Sequence, residues 1–118
     1  PAKAGQRHSV CWTACSVDNG ANSFFNGFQR VTYDGQADLV TLPAGCYGSE
    51  PMFAPAQGAT REDDGYLLEV VYDGYTHRSE LQVFRADDVN DQVCTLKLGH
   101  HLPHQFHGYF TAQTFAVG

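Results

Sequence analysis

Basic residues are scarce in this 118-residue chain: 7 Lys and Arg stand against 13 Asp and Glu, for a formal charge of −6 and a pI near 5.3. The few that occur are scattered singly, so no patch exists to neutralise a phosphate backbone, and nucleic acid is not an expected partner. Long apolar runs are also missing. None approaches the roughly 20 residues that cross a bilayer, and residues 1–6 carry no hydrophobic signal core, which gives the expectation of a soluble, untargeted, cytoplasmic chain. Helical periodicity is absent throughout. The chain has no initiating Met and begins abruptly, from which a start inside a longer polypeptide is expected. Cysteine is limited to 4 residues with a single close pair, Cys11 and Cys15, while Cys46 and Cys94 are isolated. A structural four-cysteine zinc site wants two such pairs, so free thiols are the favoured reading. No Gly-rich phosphate loop and no Ser-His-Asp or Cys-His arrangement can be read out.

What the chain does have is 42% hydrophobic and 13% aromatic residues, enough apolar surface for one core, with 12 Gly and 5 Pro as punctuation. Abundant Val, Thr, Tyr and Phe shift the expectation to strands and turns. Candidate strands fall at residues 9–17, 27–33 and 38–42, the last two joined by Asp34-Gly35, a two-residue hairpin signal. Four more follow at 50–54, 66–72, 80–85 and 92–98 and read as an antiparallel meander. Residues 67–72 are nearly continuous in apolar character, as for a strand covered on both faces, whereas residues 80–85 alternate. Two groups of some 40 to 50 residues have the size of propeller blades, about 40 to 50 residues each. The fold class expected is therefore all-β, about two blades of a β-propeller, with one blade over residues 1–48 and a last blade over 49–118. A free-standing β-sandwich or small barrel of about seven strands, acting as a binding or assembly module that buries its open faces by self-association, fits the composition equally.

Residues 100–108 hold His100, His101, His104 and His107, four of the 6 histidines in the chain. Neutral imidazole is the commonest ligand for borderline metals, so a His-loop metal site stands beside the reading of a solvated turn. The Glu62-Asp63-Asp64 run lacks the spaced acids of a calcium loop and reads as solvated.

The segments Gly48-Ser49-Glu50-Pro51-Met52-Phe53-Ala54-Pro55, Glu62-Asp63-Asp64-Gly65-Tyr66-Leu67-Leu68, Val71-Tyr72-Asp73 followed by Arg78-Ser79-Glu80-Leu81, and Leu102-Pro103 leading to Phe106-His107-Gly108 together resemble the C-terminal part of the carotenoid cleavage oxygenases, a family that includes stilbene-cleaving and retinoid-isomerising relatives. Phe25-Asn26-Gly27, running to Tyr33-Asp34, is similar as well. The resemblance covers nearly the whole chain in one order. It departs from the usual pattern at His104 and Gln105, where family members carry an aromatic residue and a Gly.

That resemblance implies a seven-bladed propeller with a non-haem Fe(II) on its axis, held by four histidines from different blades and reacting O₂ with a conjugated double bond. His107 falls on the last of the four ligands, and Glu50 on a carboxylate that accepts a hydrogen bond from another iron histidine. It implies an apolar polyene substrate and peripheral membrane contact. It also implies that three ligands are supplied from outside this chain, so that the chain alone is inactive.

Overall fold

The computed structural model describes residues 9–16, 25–102 and 111. The described residues form eight strands and no helix: β1 (Val10–Cys15), β2 (Gly27–Thr32), β3 (Ala37–Thr41), β4 (Cys46–Gly48), β5 (Met52–Pro55), β6 (Gly65–Asp73), β7 (Arg78–Arg85) and β8 (Gln92–Lys97). All pairings are antiparallel. One sheet has the order β1-β2-β3, and a second contains β4-β6-β7-β8 with β5 also paired to β6.

The β2–β3 connection departs from the expected two-residue hairpin. Thr32 N donates to Gln36 O at 2.9 Å and Gly35 N to Thr32 O at 2.9 Å, leaving Tyr33, Asp34 and Gly35 in the loop. Gly35 takes φ 89°, the left-handed conformation that closes a three-residue hairpin at no steric cost to glycine. Asp34 accepts from the Thr32 hydroxyl and holds the turn.

The second sheet contains the expected four-stranded antiparallel meander as β5-β6-β7-β8 and adds the short β4, because residues 46–55 form one strand broken into two. β4 pairs with the C-terminal end of β6, Cys46 against Asp73 and Gly48 against Val71. β5 pairs with the N-terminal end, Met52 against Leu68 and Pro55 against Gly65. The register moves by one residue between these ladders, and Ser49 N still donates to Val70 O at 3.1 Å. Glu50 and Pro51 together therefore oppose the single residue Glu69, the two-against-one count of a β-bulge. Pro51 has no N–H to give to a ladder, so a break is least costly there.

The strand read as covered on both faces, β6, is covered on one. Leu67, Glu69 and Val71 are fully buried, while the alternate residues are half-buried or exposed. The reason is that the odd-numbered face meets the first sheet, whereas the other face meets, among the described residues, His77 and His101 at Tyr72. On the buried side Phe28, Leu67, Phe84, Ala86 and Val89 form the core, with Trp12, Val40 and Phe53 packed against it. Trp12 stacks on Phe53 with centroids 5.0 Å apart, and Phe28 meets Phe84 edge-on at 4.9 Å. Trp12 Nε1 donates to Ala86 O at 3.1 Å, satisfying the one polar atom of the indole.

Three polar links close the same seam. Arg30 binds Asp63 at 2.8 Å, Ser9 N donates to Glu62 Oε2 at 2.9 Å, and Gly48 N donates to Phe25 O at 2.8 Å. The acidic run is thus corrected from a solvated loop to a clamp between sheets; its carboxylates are drawn in by the Arg30 guanidinium and the Ser9 N–H. All four cysteines are free.

Phe28 is wholly buried at the centre of the seam, and replacing it with Ala removes its contacts with both sheets. The expected loss in urea unfolding of the chain is about 3–5 kcal/mol; a loss under 1 kcal/mol would mean that the two sheets do not share this core.

Candidate functional site

Glu50 sits on the bulge between β4 and β5, half-buried. Bulges next to active sites re-aim a side chain that a regular strand would commit to one face or the other. Ser49 Oγ leans on the Glu50 carbonyl at 3.4 Å. His107 and His104 lie outside the described residues, as does His8.

The remaining histidines gather elsewhere. His77, in the β6–β7 turn with φ 53°, shares a 2.7 Å hydrogen bond between its Nδ1 and Tyr72 Oη. The His101 ring approaches Tyr72 edge-on with centroids 6.4 Å apart. Ser79 ties this segment down, since its N–H donates to His100 O at 3.0 Å and its Oγ accepts from Leu102 N at 2.8 Å. Among the described residues no three His, Cys, Asp or Glu side chains converge as metal ligands. The described part of the His-rich stretch is therefore packed on Tyr72 and Ser79, and a ligand set built within it would need His104 or His107.

A cleft of about 520 Å³ opens where the sheets meet, lined by Ser9, Arg30, Tyr33, Asp34, Arg61 and Asp63 among others. Its central charges are committed to each other through the Arg30–Asp63 pair, which accounts for the cleft as a by-product of the clamp.

The residue that sequence reading missed is Glu69. It is 0% exposed, on the core face of β6 between Leu67 and Val71, and among the described residues neither carboxyl oxygen has a hydrogen-bond partner. Burial pushes its pKa up to about 9, only partly offset by the nearby Ser49 N–H. Cys15, from the first sheet, is raised as well, by burial first and then by Glu69. The signal was available in period-2 form: a lone charged residue at an inward position of an otherwise apolar strand.

A buried carboxyl of this kind makes stability depend on pH. The native protein holds the proton to about 9 while the unfolded chain releases it near 4.5, so stability is full below about 4.5 and is lost as pH rises toward 9. Glu69→Gln, uncharged at every pH and nearly isosteric, removes that dependence. In urea unfolding the variant is expected to gain on the wild type by about 1.4 kcal/mol per pH unit across this window; parallel stability curves would show that the carboxyl is solvated or paired.

Comparison with known proteins places these features. The family described as retinal pigment epithelial membrane protein matches residues 1–112. The apocarotenoid-15,15'-oxygenase of Synechocystis is 32% identical over 116 residues, 97% of this chain and 24% of that enzyme. The carotenoid 9,10(9',10')-cleavage dioxygenase of Crocus sativus is 38% identical over 75 residues, 61% of this chain and 14% of its own length. Among solved structures, a mutant of the Synechocystis apocarotenoid oxygenase superposes with a TM-score of 0.84 at 32% identity, covering 93% of this chain and 23% of that one. A cobalt-substituted form of the same enzyme superposes at 0.80 with 30% identity, covering 87% and 22%. The chain thus spans about a quarter of the length of the Synechocystis relative, whose fold is a β-propeller. With its antiparallel all-β sheets and a match that runs through nearly all of its residues, the chain belongs to the retinal pigment epithelial membrane protein family, together with the carotenoid and apocarotenoid oxygenases.

Proposed function

We propose that this chain is the C-terminal part, the last two blades, of a non-haem Fe(II) dioxygenase that cleaves a conjugated double bond of a carotenoid, apocarotenoid or related polyene or stilbene with O₂. The observation that supports it most is the family match over residues 1–112, with Glu50 of the Glu-Pro segment set on a bulge rather than in a regular strand. The cobalt-substituted relative is a metal-containing enzyme of the same fold. The balance is simple: the C=C bond breaks, both oxygen atoms of O₂ end in two carbonyl products, and no further reductant is consumed.

When bound, the iron supplies the activation of O₂. The part of this chain is to hold and orient. His107 contributes one neutral imidazole, and Glu50 accepts the distal ring N–H of a ligating histidine contributed by another blade, fixing its tautomer and direction. An apolar polyene also fits a chain whose acidic charge offers nothing to phosphate. Association with membranes that contain such substrates, from the cytoplasmic side, belongs to the same proposal.

Iron per chain after anaerobic Fe(II) reconstitution and desalting tests it. The isolated chain is expected to retain negligible iron and to show no cleavage, and oxidative cleavage by the purified 118-residue chain would overturn the proposal. Within the complete enzyme, His107→Ala abolishes retained iron and Glu50→Gln lowers metal affinity or activity by about 10- to 100-fold.

A further inference from the structure

Glu69 occupies an unusual place with respect to Glu50. The two-against-one bulge puts Glu50 and Pro51 directly across the ladder from Glu69. On the strand before the bulge, Gly48 is the residue that makes room: a Cβ there would lie 2.2 Å from Glu69 Oε1 and 3.2 Å from Leu42 Cδ1. The same Gly48 carries the backbone bond to Phe25 that joins the two sheets. A fully buried carboxyl thus fills the space under the joint from which the Glu50 segment departs. Because it is buried by residues of this chain alone, further blades do not alter that burial.

We propose that Glu69 is the positioning residue for Glu50: its carboxyl group, wedged against Gly48 and facing the bulge, sets the backbone course of residues 48–51 and through it the direction in which Glu50 is presented. This rests on the role assigned to Glu50 above. Glu69 performs it uncharged. Among the described residues no cation faces it: β1 brings Cys15, β7 brings Gln82 directly opposite, and the β4 side brings Gly48 and Ser49. The Gln82 amide donates to Glu80 Oε1 at 3.0 Å and makes no bond to Glu69. Among the described residues a negative charge at Glu69 would find no countercharge, and the titratable group it acts on is the Cys15 thiol. A buried carboxylate without a countercharge is costly, so ionisation has to displace the side chain, and the bulge with it.

The consequence is a pH limit on the geometry of Glu50 that originates one strand away. The test uses the amide resonances of Ser49, Glu50 and Met52 in the isolated chain, followed from pH 6 to 10, and retained iron in the complete enzyme over the same range. In the wild type the three amides are expected to shift together with an alkaline midpoint. Glu69→Gln should keep their neutral-pH positions, abolish the alkaline shift and retain iron at neutral pH within about twofold. Glu69→Ala should displace them at every pH and lower retained iron about tenfold, the lower end of the range for losing such an outer partner. If Glu69→Ala does not fold, Gly48→Ala displaces the same carboxyl from the opposite strand, and Gly48→Ala combined with Glu69→Ala should recover part of the native amide positions. Amides that move as far in Glu69→Gln as in Glu69→Ala, or that ignore both changes, would overturn the proposal. A wild-type complete enzyme without iron would instead overturn the iron reading, leaving the amide result to decide the role of Glu69.

Discussion

The packing of the odd-numbered face of β6 against the first sheet is the constraint on which the rest of this structure depends. Leu67, Glu69 and Val71 have no solvent on that side, so everything opposite them must be complementary in shape as well as in polarity. Phe28 and Phe84 fill the space around Leu67, and Leu42 and Cys46 fill that around Val71. Between these two clusters lies the carboxyl of Glu69. The seam is closed at its rim by groups that are individually modest, an Arg30–Asp63 ion pair and backbone bonds from Ser9 and Gly48. Their worth lies in fixing orientation; the apolar interior supplies most of the stabilisation.

A break in a strand is ordinarily a loss of ladder bonds. Here it lies where Pro51 could not have donated one, and the extra residue allows Glu50 to leave the alternation of its strand. The bulge also explains how a charged residue survives in the middle of a core strand. Opposite a regular strand, Glu69 would face a side chain at each neighbouring inward position; opposite Gly48 and the bulge it finds a space with no Cβ in it. Keeping its proton avoids the much larger cost of a buried unpaired charge. Glycine at 48, glutamate at 69 and the bulge at 50–51 are one arrangement, and none of the three is intelligible alone.

Much of this was legible from the chain. Turn residues marked the strands, and β1, β2, β3, β5, β6, β7 and β8 lie within a few residues of their expected places. The short β4 was not foreseen, because Cys46-Tyr47-Gly48 has too few residues to show a period of 2 and sits between Gly45 and Ser49. Asp34-Gly35 announced a hairpin but not its length, since Gly serves both the two-residue loop and the longer one with a left-handed Gly at its end. Glu62 and Asp63 read as solvent-facing because nothing local reveals that Arg30 and Ser9 wait across the seam. Glu69 was concealed by its neighbours: in a run of Leu, Val and Tyr, one Glu does not disturb the average, and only the knowledge of which face is inward makes it conspicuous.

By itself the amino-acid order determined the all-β class, the approximate strands, the acidic surface and, through ordered segments around Glu50, Tyr66, Tyr72 and His107, the family. These are local properties: backbone propensity, turn chemistry and short patterns are written in adjacent residues. Tertiary structure alone decided the register shift that places two residues against Glu69, the burial of that carboxyl, and the conversion of an acidic loop into a clamp. Each depends on which strand, tens of residues away, is paired and at what offset, and a shift of one residue reverses every side chain from core to solvent.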